Sequence, residues 1–355
     1  MNIRAIELQP ATVALTRPYA LATWATDAVD MVRVRIEAGD GACGLGAASP
    51  QPEVTGETTE QCLAALRGVE ALLRGRSFAR PAELDDLLRR EWPDAPAARA
   101  AIDMALYDLQ GKAAERPVVD LLGRVHRALP TSITIGVCDV EPTLAQAREY
   151  LGRGFRVLKV KVGADLELDV ERLARLRELV GRDLPLLADA NMGYTAAQLA
   201  AFLQRTRAFG LRLVEQPLPR ELASAQCTLP AHDVERLVAD ESMHDPADAR
   251  RLAQQPRAFG VFNIKLMKCG GITPALDIAR IAAGAGVGLM WGCMDESVIG
   301  IAAALHAAFA CEATRHLDLD GSLDLSRDFG AGGFVLEDGL LRTLDRPGLG
   351  VWPGD

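Results

Sequence analysis

The 355-residue chain reads as an α/β protein, a TIM-type barrel preceded by a smaller α+β domain. Three observations carry that expectation. Charged residues close short apolar runs at nearly constant intervals: from Lys161 through Asp189, Glu215 and Asp240 to Lys265 the steps are 28, 26, 25 and 25 residues. Each step has the length of one strand, one helix and two loops. Helical patterns fill the gaps, and the first third of the chain has a different texture, with period-two alternation followed by helices. The repeats share length but no leucine consensus, which disfavours a solenoid. Strand tips of a barrel converge on one face, so the charged row reads as one site.

In chain order, Met1 to Leu8 alternates like a strand, and Met31 to Ala38 alternates with period two. Gly39-Asp40-Gly41 supplies a turn, and Ala42 to Ala47 returns as the second strand of a hairpin. Thr58 to Gln61 reads as a capping box opening an amphipathic helix to about Leu73. Ala97 to Ala114 reads as an alanine-rich helix with Ile102, Leu106 and Leu109 on one face. Proline and glycine punctuate Pro93–Pro96 and Gly123–Pro130, which places a boundary near residue 126. Barrel strands follow at Phe155–Lys161, Leu184–Asp189, Leu211–Glu215, Leu237–Asp240 and Val261–Lys265, with Val287–Trp291 seventh and His316–Asp320 eighth. Between them lie helices at Asp169–Leu179, Thr195–Arg207 and Pro246–Gln254, with Thr195 and Asp245 as N-caps. Two short strands around Glu337-Asp338-Gly339 return toward the first domain, giving units 1–126, 127–325 and 326–355.

A net charge of -9 argues against nucleic acid and anionic membrane as partners and fits small-molecule chemistry. Seven cysteines without a Cys-x-x-Cys pair indicate neither a zinc site nor a disulfide framework, and a reducing cytoplasm is expected. No export signal or membrane span is read from the sequence. The sequence leaves open whether the chain self-associates.

Asp189, Glu215 and Asp240 end three consecutive strands, so three carboxylates point into one mouth and repel one another unless a cation sits among them. Hard oxygen donors without His or Cys favour magnesium. The competing reading pairs each carboxylate with a neighbouring Lys or Arg in a metal-free core. Lys159 and Lys161, two apart on a strand, project to one face, and Lys265 stands four units later, across the barrel. Two lysines flanking a metal-bound carboxylate suit removal of a proton from the adjacent carbon on one face and its return on the other. Neighbouring cations would depress the basicity of these lysines and free a neutral amine for the task. Lys159 and the metal would stabilise charge building on an enediolate. None of the five histidines forms a ligand-like pair.

Lys159-Val-Lys161-Val-Gly, Asp189-Ala-Asn191, Val214-Glu215-Gln216-Pro217, Ala239-Asp240-Glu241-Ser242 and Asn263-Ile-Lys265-Leu-Met-Lys-Cys-Gly-Gly271 resemble the muconate-lactonizing branch of the enolase superfamily, as does Ala105-Leu106-Tyr107-Asp108. The resemblance covers almost the whole chain. It implies a (β/α)7β barrel under an N-terminal α+β capping domain completed by the C-terminal segment. It also implies a magnesium site of Asp189, Glu215 and Asp240 with Asn191 behind it, acid/base residues Lys161 and Lys265, and Lys159 on the substrate carboxylate.

On strand eight, His316-Leu-Asp318-Leu-Asp320-Gly resembles the Asp-x-Asp motif of dipeptide epimerases, where two aspartates hold the ammonium of the N-terminal residue. Gly292-Cys293-Met294-Asp295-Glu296-Ser297 resembles the same group. The implied substrate is a dipeptide epimerised at the α-carbon of its C-terminal residue, with Thr134, Met294 and Asp295 facing it. Epimerases acting on Ala-Glu can carry an arginine in the first capping loop; the equivalent here is Trp24. An apolar or cationic side chain is therefore expected rather than glutamate, met by Trp24 and Asp295. The second capping loop, Glu53 to Glu57, is expected to cover the other side chain. The competing activities are N-acylamino acid racemase, o-succinylbenzoate synthase, muconate cycloisomerase and a lysine Schiff-base lyase. A catalytically silent peptide-binding barrel is the alternative from another class.

Overall fold

The computed structural model describes residues 2–20, 25–74, 76 and 78–354. An antiparallel sheet of Ile3–Ala20, Ala25–Ala38 and Cys43–Ala48 opens the chain. Along its middle strand Val32, Val34, Ile36 and Ala38 are buried while Arg33, Arg35 and Glu37 are not, so one face of the period-two pattern meets the core. The buried face lies on the helix Pro96–Ala113. Contact is so close that a Cβ on Gly44 or Gly46 would run into the carbonyl oxygens of Ala105 and Ala101. This helix starts with Pro96 in its first turn and no cap from Ala95. Glu57 supplies the cap instead, accepting the N–H groups of Ala97 at 2.7 Å and Ala98 at 3.3 Å. Helix Thr59–Leu73 carries the expected capping box between Thr58 and Gln61.

Eight parallel strands follow in consecutive order: Ile133–Ile135, Leu158–Lys161, Leu186–Asp189, Leu213–Glu215, Leu237–Ala239, Val261–Ile264, Gly288–Gly292 and Thr314–Asp318. A bridge between Thr131 and Leu317 brings the last strand beside the first. Ser132 N–H donates to Leu317 O at 3.0 Å across that seam. The strands are shorter than the apolar runs that announce them. Asp240 and Lys265 sit one residue past their strands. The first strand and the helix Val140–Gly152 have no counterpart in the sequence reading. Thr195 and Asp245 cap helices Ala196–Arg205 and Pro246–Leu252 as expected.

Parity along the strands positions the site. Val157, Leu187, Leu213, Val238, Val261 and Met290 form an apolar cluster of their own, separate from the main core. Two residues further on, the same faces carry Lys159, Asp189, Glu215, Asp240, Asn263 and Gly292. The cluster is a hydrophobic floor under a polar layer.

The chain then forms a hairpin, Phe334–Glu337 and Leu340–Thr343, which adds to Leu129–Pro130. Beyond it the tail returns to the first helices: Val118 N–H donates to Gly348 O at 2.8 Å, and Leu349 N–H to Asp108 Oδ1 at 2.8 Å.

Candidate active site

At the C-terminal ends of the strands lies a cavity of about 1130 Å³, bounded by barrel loops and by Arg17, Thr26, Asp27, Gln51, Glu53 and Val54 of the first domain. Lys159, Lys161, Asn191, Asp240, Lys265, Met294, Asp295, Asp318, Asp320 and Thr134 all line it. Asp189 and Glu215 lie directly beneath, 1% and 2% exposed. Lys161, Asp189 and Glu215 are side by side in register across three strands. Trp24 lies outside the described residues. Of the second capping loop, Glu53 and Val54 reach the cavity; Glu57 is fully buried as the helix cap, which corrects the expectation that it covers a substrate side chain. None of the described histidines lines the cavity.

The charges are closely paired. Lys159 Nζ stands 2.6 Å from Asp318 Oδ2, 2.8 Å from Glu215 Oε2 and 3.0 Å from Asp189 Oδ2. Lys161 Nζ donates to Asp189 at 2.7 Å and to Asn191 Oδ1 at 3.0 Å. Lys265 reaches Asp240 Oδ2 at 2.8 Å. Lys268, also buried, holds both the Asp240 carbonyl, at 2.6 Å, and its Oδ1. Burial opposes the charge on Asp189, but Lys159 and Lys161 outweigh it and hold the carboxyl at about 2. Asp240 is held well below the carboxylate range because Lys265 and Lys268 outweigh its burial. Glu215 goes the other way, pushed up to about 8 by burial and the Asp189 charge.

Lys265 is held as an ammonium by its carboxylate neighbours. Burial and Lys159 disfavour its ammonium, but Asp240 and Glu215 prevail and hold it above the ordinary lysine value. Asp240 lies at hydrogen-bond distance, and at that range the opposite charge dominates.

Backbone geometry at the strand tips is unusual. Asn191, Met192 and Gln216 adopt positive φ of 41°, 66° and 32°. The Gln216 side chain braces the neighbouring tip, accepting the N–H groups of Asp240 and Ser242 at 3.1 Å each. Asn263 Nδ2 donates to Glu215 Oε1 at 2.7 Å, and Gly292 leaves it room, since a Cβ there would come within 2.6 Å of Asn263 Oδ1. Lys268, Asn263 and Ser132 were not singled out from the sequence. For Lys268 a signal existed, a second charge beside Lys265 in the otherwise apolar run Ile264 to Cys269.

Among the described residues no three His, Cys, Asp or Glu side chains stand grouped as a metal cluster, because lysine ammoniums lie between the carboxylates. The donor set nevertheless suits a hard divalent cation. Asp189, Glu215 and Asp240 offer only oxygens from adjacent strands, Glu215 is crowded by like charge, and the buried oxygens Asn263 Oδ1 and Glu241 Oε2 lack a hydrogen-bond partner.

Comparison with known proteins agrees with this architecture. Residues 5–123 match the mandelate racemase/muconate lactonizing enzyme N-terminal domain, and residues 143–353 match the enolase C-terminal domain-like family. The chain is 51% identical to an L-Lys-D/L-Arg epimerase of Methylococcus capsulatus over 352 residues, 99% of each protein. It is 49% identical to an enzyme of the same name from Desulforapulum autotrophicum, again over 99% of each. The crystal structure of the dipeptide epimerase from Methylococcus capsulatus complexed with Mg and the dipeptide L-Arg-D-Lys superposes with a TM-score of 0.95 at 51% identity, covering 99% of both chains. The chain belongs to the mandelate racemase/muconate lactonizing enzyme family, in the dipeptide epimerase group of the enolase superfamily.

Proposed function

We propose that the protein is a magnesium-assisted epimerase of dipeptides with cationic side chains, inverting the α-carbon of the C-terminal residue. The observation that carries the choice of substrate is the charge of the cavity wall. Around the lysine-flanked floor, Asp27, Glu53, Asp295 and Asp324 supply carboxylates from both domains, while the cation at the same rim, Arg17, is paired with Glu149 at 2.8 Å. A cationic side chain is attracted to such a wall and a glutamate is repelled. The names of the relatives above, which specify Lys and Arg, support the same class.

Asp189, Glu215 and Asp240 would hold magnesium, which supplies positive charge beside the substrate carboxylate and so acidifies the adjacent carbon. The remaining roles fall to side chains. Lys159, fixed by its carboxylate neighbours, offers a permanent ammonium to the substrate carboxylate. Lys161 and Lys265, four strands apart in an eight-stranded barrel, flank the α-carbon. One, deprotonated at Nζ, takes the α-proton; the other donates its own from the opposite face, and the configuration inverts.

Residues 1–126 act as a capping domain over a barrel of residues 127–325, with 326–355 returning to the cap. The seven cysteines are free, which supports a reducing, cytoplasmic location. No helix among the described residues is long and apolar enough to cross a membrane.

The test is incubation of the magnesium-loaded protein with pooled L,L-dipeptides in deuterated water, followed by mass spectrometry. Dipeptides with Lys or Arg at the C-terminus should gain one mass unit, and EDTA should abolish the gain. Absence of exchange across the pool would refute the reading.

A further inference from the structure

We propose that Arg172 is a positioning residue for Lys161: it fixes the main chain beneath one acid/base lysine and not beneath the other, and so serves proton transfer on one face of the α-carbon only. This rests on the epimerase reading above and adds to it a residue that lies outside the cavity.

Arg172 belongs to the helix Leu166–Val180, which follows the strand ending at Lys161, and is fully buried. Pairing of that strand with the first barrel strand stops at Ile135 and Val160, so the next pair in register, Gly136 and Lys161, lies past the ladder. Their carbonyl oxygens meet the guanidinium instead. One terminal nitrogen donates to Lys161 O at 2.7 Å and the other to Gly136 O at 2.7 Å. The planar fork of arginine spans two acceptors as a lysine ammonium cannot. Its Nε donates to Thr143 Oγ1 at 2.9 Å, which ties the fork to the helix Val140–Gly152. One turn earlier on the Arg172 helix, Asp169 Oδ2 accepts the N–H of Gly163 at 2.8 Å and the hydroxyl of Tyr194 at 2.8 Å, and Asp169 Oδ1 stands 3.7 Å from Arg172. The segment Lys161–Gly163 is therefore held at both ends by one buried ion pair. Arg172, Asp169, Thr143 and Tyr194 are all buried, so no solvent stands ready to replace a lost partner.

Lys265 is held differently. Its carbonyl accepts the N–H groups of Lys268 at 3.0 Å and Cys269 at 3.2 Å, within the short helix Leu266–Cys269 that it opens. These holding groups are main-chain, and no side-chain substitution removes them. Loss of the Arg172 fork loosens the peptide beneath Lys161 and leaves the one beneath Lys265 in place.

Wild type and the variants Lys161→Ala, Arg172→Lys and Thr143→Val, magnesium-loaded, are compared by the initial rate of α-proton exchange from the L,L and L,D diastereomers of lysyl-arginine at saturating dipeptide. Lys161→Ala identifies the diastereomer that Lys161 serves. Arg172→Lys keeps the charge beside Asp169 but not the fork. It should slow exchange from that diastereomer about 10- to 100-fold, the cost of a displacement of about 1 Å at a reacting group, with exchange from the other within about 2-fold of wild type. Thr143→Val removes only the Nε acceptor and should give the same one-sided loss at about 5-fold, the weight of one neutral hydrogen bond. Equal losses from both diastereomers would make Arg172 a structural residue and overturn the proposal, as would wild-type rates from both in Arg172→Lys. Loss of both or of neither in Lys161→Ala would overturn it together with the two-face mechanism. Should Arg172→Lys fail to fold, as read by circular dichroism, Thr143→Val decides in the same way. A wild-type protein that exchanges neither diastereomer would instead refute the functional reading itself.

Discussion

His306, fully buried, joins three segments far apart in sequence. Its Nδ1 accepts the N–H of Val119 at 3.0 Å and its Nε2 lies 3.2 Å from Leu349 O, so the neutral ring with hydrogen on Nε2 satisfies both partners. The helix Val298–Phe309, the short helix Val118–Leu122 and the C-terminal tail thus meet at one imidazole. Burial pushes its pKa down to about 3, outweighing the Leu349 carbonyl. Because the folded value lies below the unfolded value near 6.5, the unfolded chain binds more protons between those two pH values, and stability rises with pH across that window. The contribution is fully present above about pH 6.5 and is lost as pH falls toward 3. Linkage gives a loss of about 2 kcal/mol from this residue between pH 7.5 and pH 5. His244 and His316, both pushed down to about 4 by burial, lose stability in the same direction, so the wild-type slope alone is not diagnostic. His306→Gln isolates the effect, since a glutamine amide can accept from Val119 and donate to Leu349 without titrating. Urea unfolding followed by circular dichroism should show the variant losing about 2 kcal/mol less than wild type over that pH interval. Equal losses in the two proteins would refute the buried neutral imidazole.

Replacing Lys268 with Met removes one of two cations from buried Asp240 and should cost about 3 kcal/mol of stability, read as a lower urea midpoint. An unchanged midpoint would show that Lys265 alone compensates the charge. Two glycine-to-alanine changes should act with opposite sign: Gly46→Ala drives a Cβ into the helix carbonyl of Ala101 and should cost about 2 kcal/mol or more. Gly152→Ala, with open space around it in a helix, should add about 0.5–1 kcal/mol. Lys161→Ala and Lys265→Ala should each stop α-proton exchange from one of the L,L and L,D diastereomers, by about 100-fold or more. Exchange of both by either variant would end the two-face mechanism. Magnesium at 100 times its Kd should raise stability by about 2.7 kcal/mol, and a thermal midpoint indifferent to magnesium would count against Asp189, Glu215 and Asp240 as its ligands.

What could be seen in the sequence was set by contrast. The strands ending at Lys161, Asp189 and Glu215 stand out because an aliphatic run stops abruptly at a charge, and that is also what makes the site visible. Ile133–Ile135 has only three residues, follows Thr131 and Ser132, carries Thr134 at its centre and ends without a charge, so neither the strand nor Ser132 stands out from the sequence. The helix Val140–Gly152 was hidden by Pro142, which reads as a breaker but sits in the first turn, where a missing N–H is harmless. Glu57 belongs to a loop near the cavity, and nothing in its spacing shows that it turns inward to cap a helix 40 residues on. Long-range partners of this kind depend on packing rather than on local pattern.

The pairing of charges explains why this end of the barrel folds at all. Isolated, each of Asp189, Glu215, Asp240, Asp318 and Asp320 would resist burial. Four ammoniums, Lys159, Lys161, Lys265 and Lys268, are distributed among them, and the distribution is uneven. Asp240 has two to itself, whereas Glu215 shares Lys159 with Asp189 and Asp318, and both Glu215 and Asp320 are pushed upward by burial and neighbouring carboxylates. Five carboxylates against four ammoniums leave the cluster short of positive charge, and the acidic cavity wall above it deepens the deficit. A site of that balance draws in cations of two kinds, one small and hard enough for the crowded floor, the other carried by a ligand that reaches Asp320 and the rim. Protonation of Glu215, which burial and the Asp189 charge favour, would relieve the same deficit without either, so a proton on that carboxyl and a cation in the site compete.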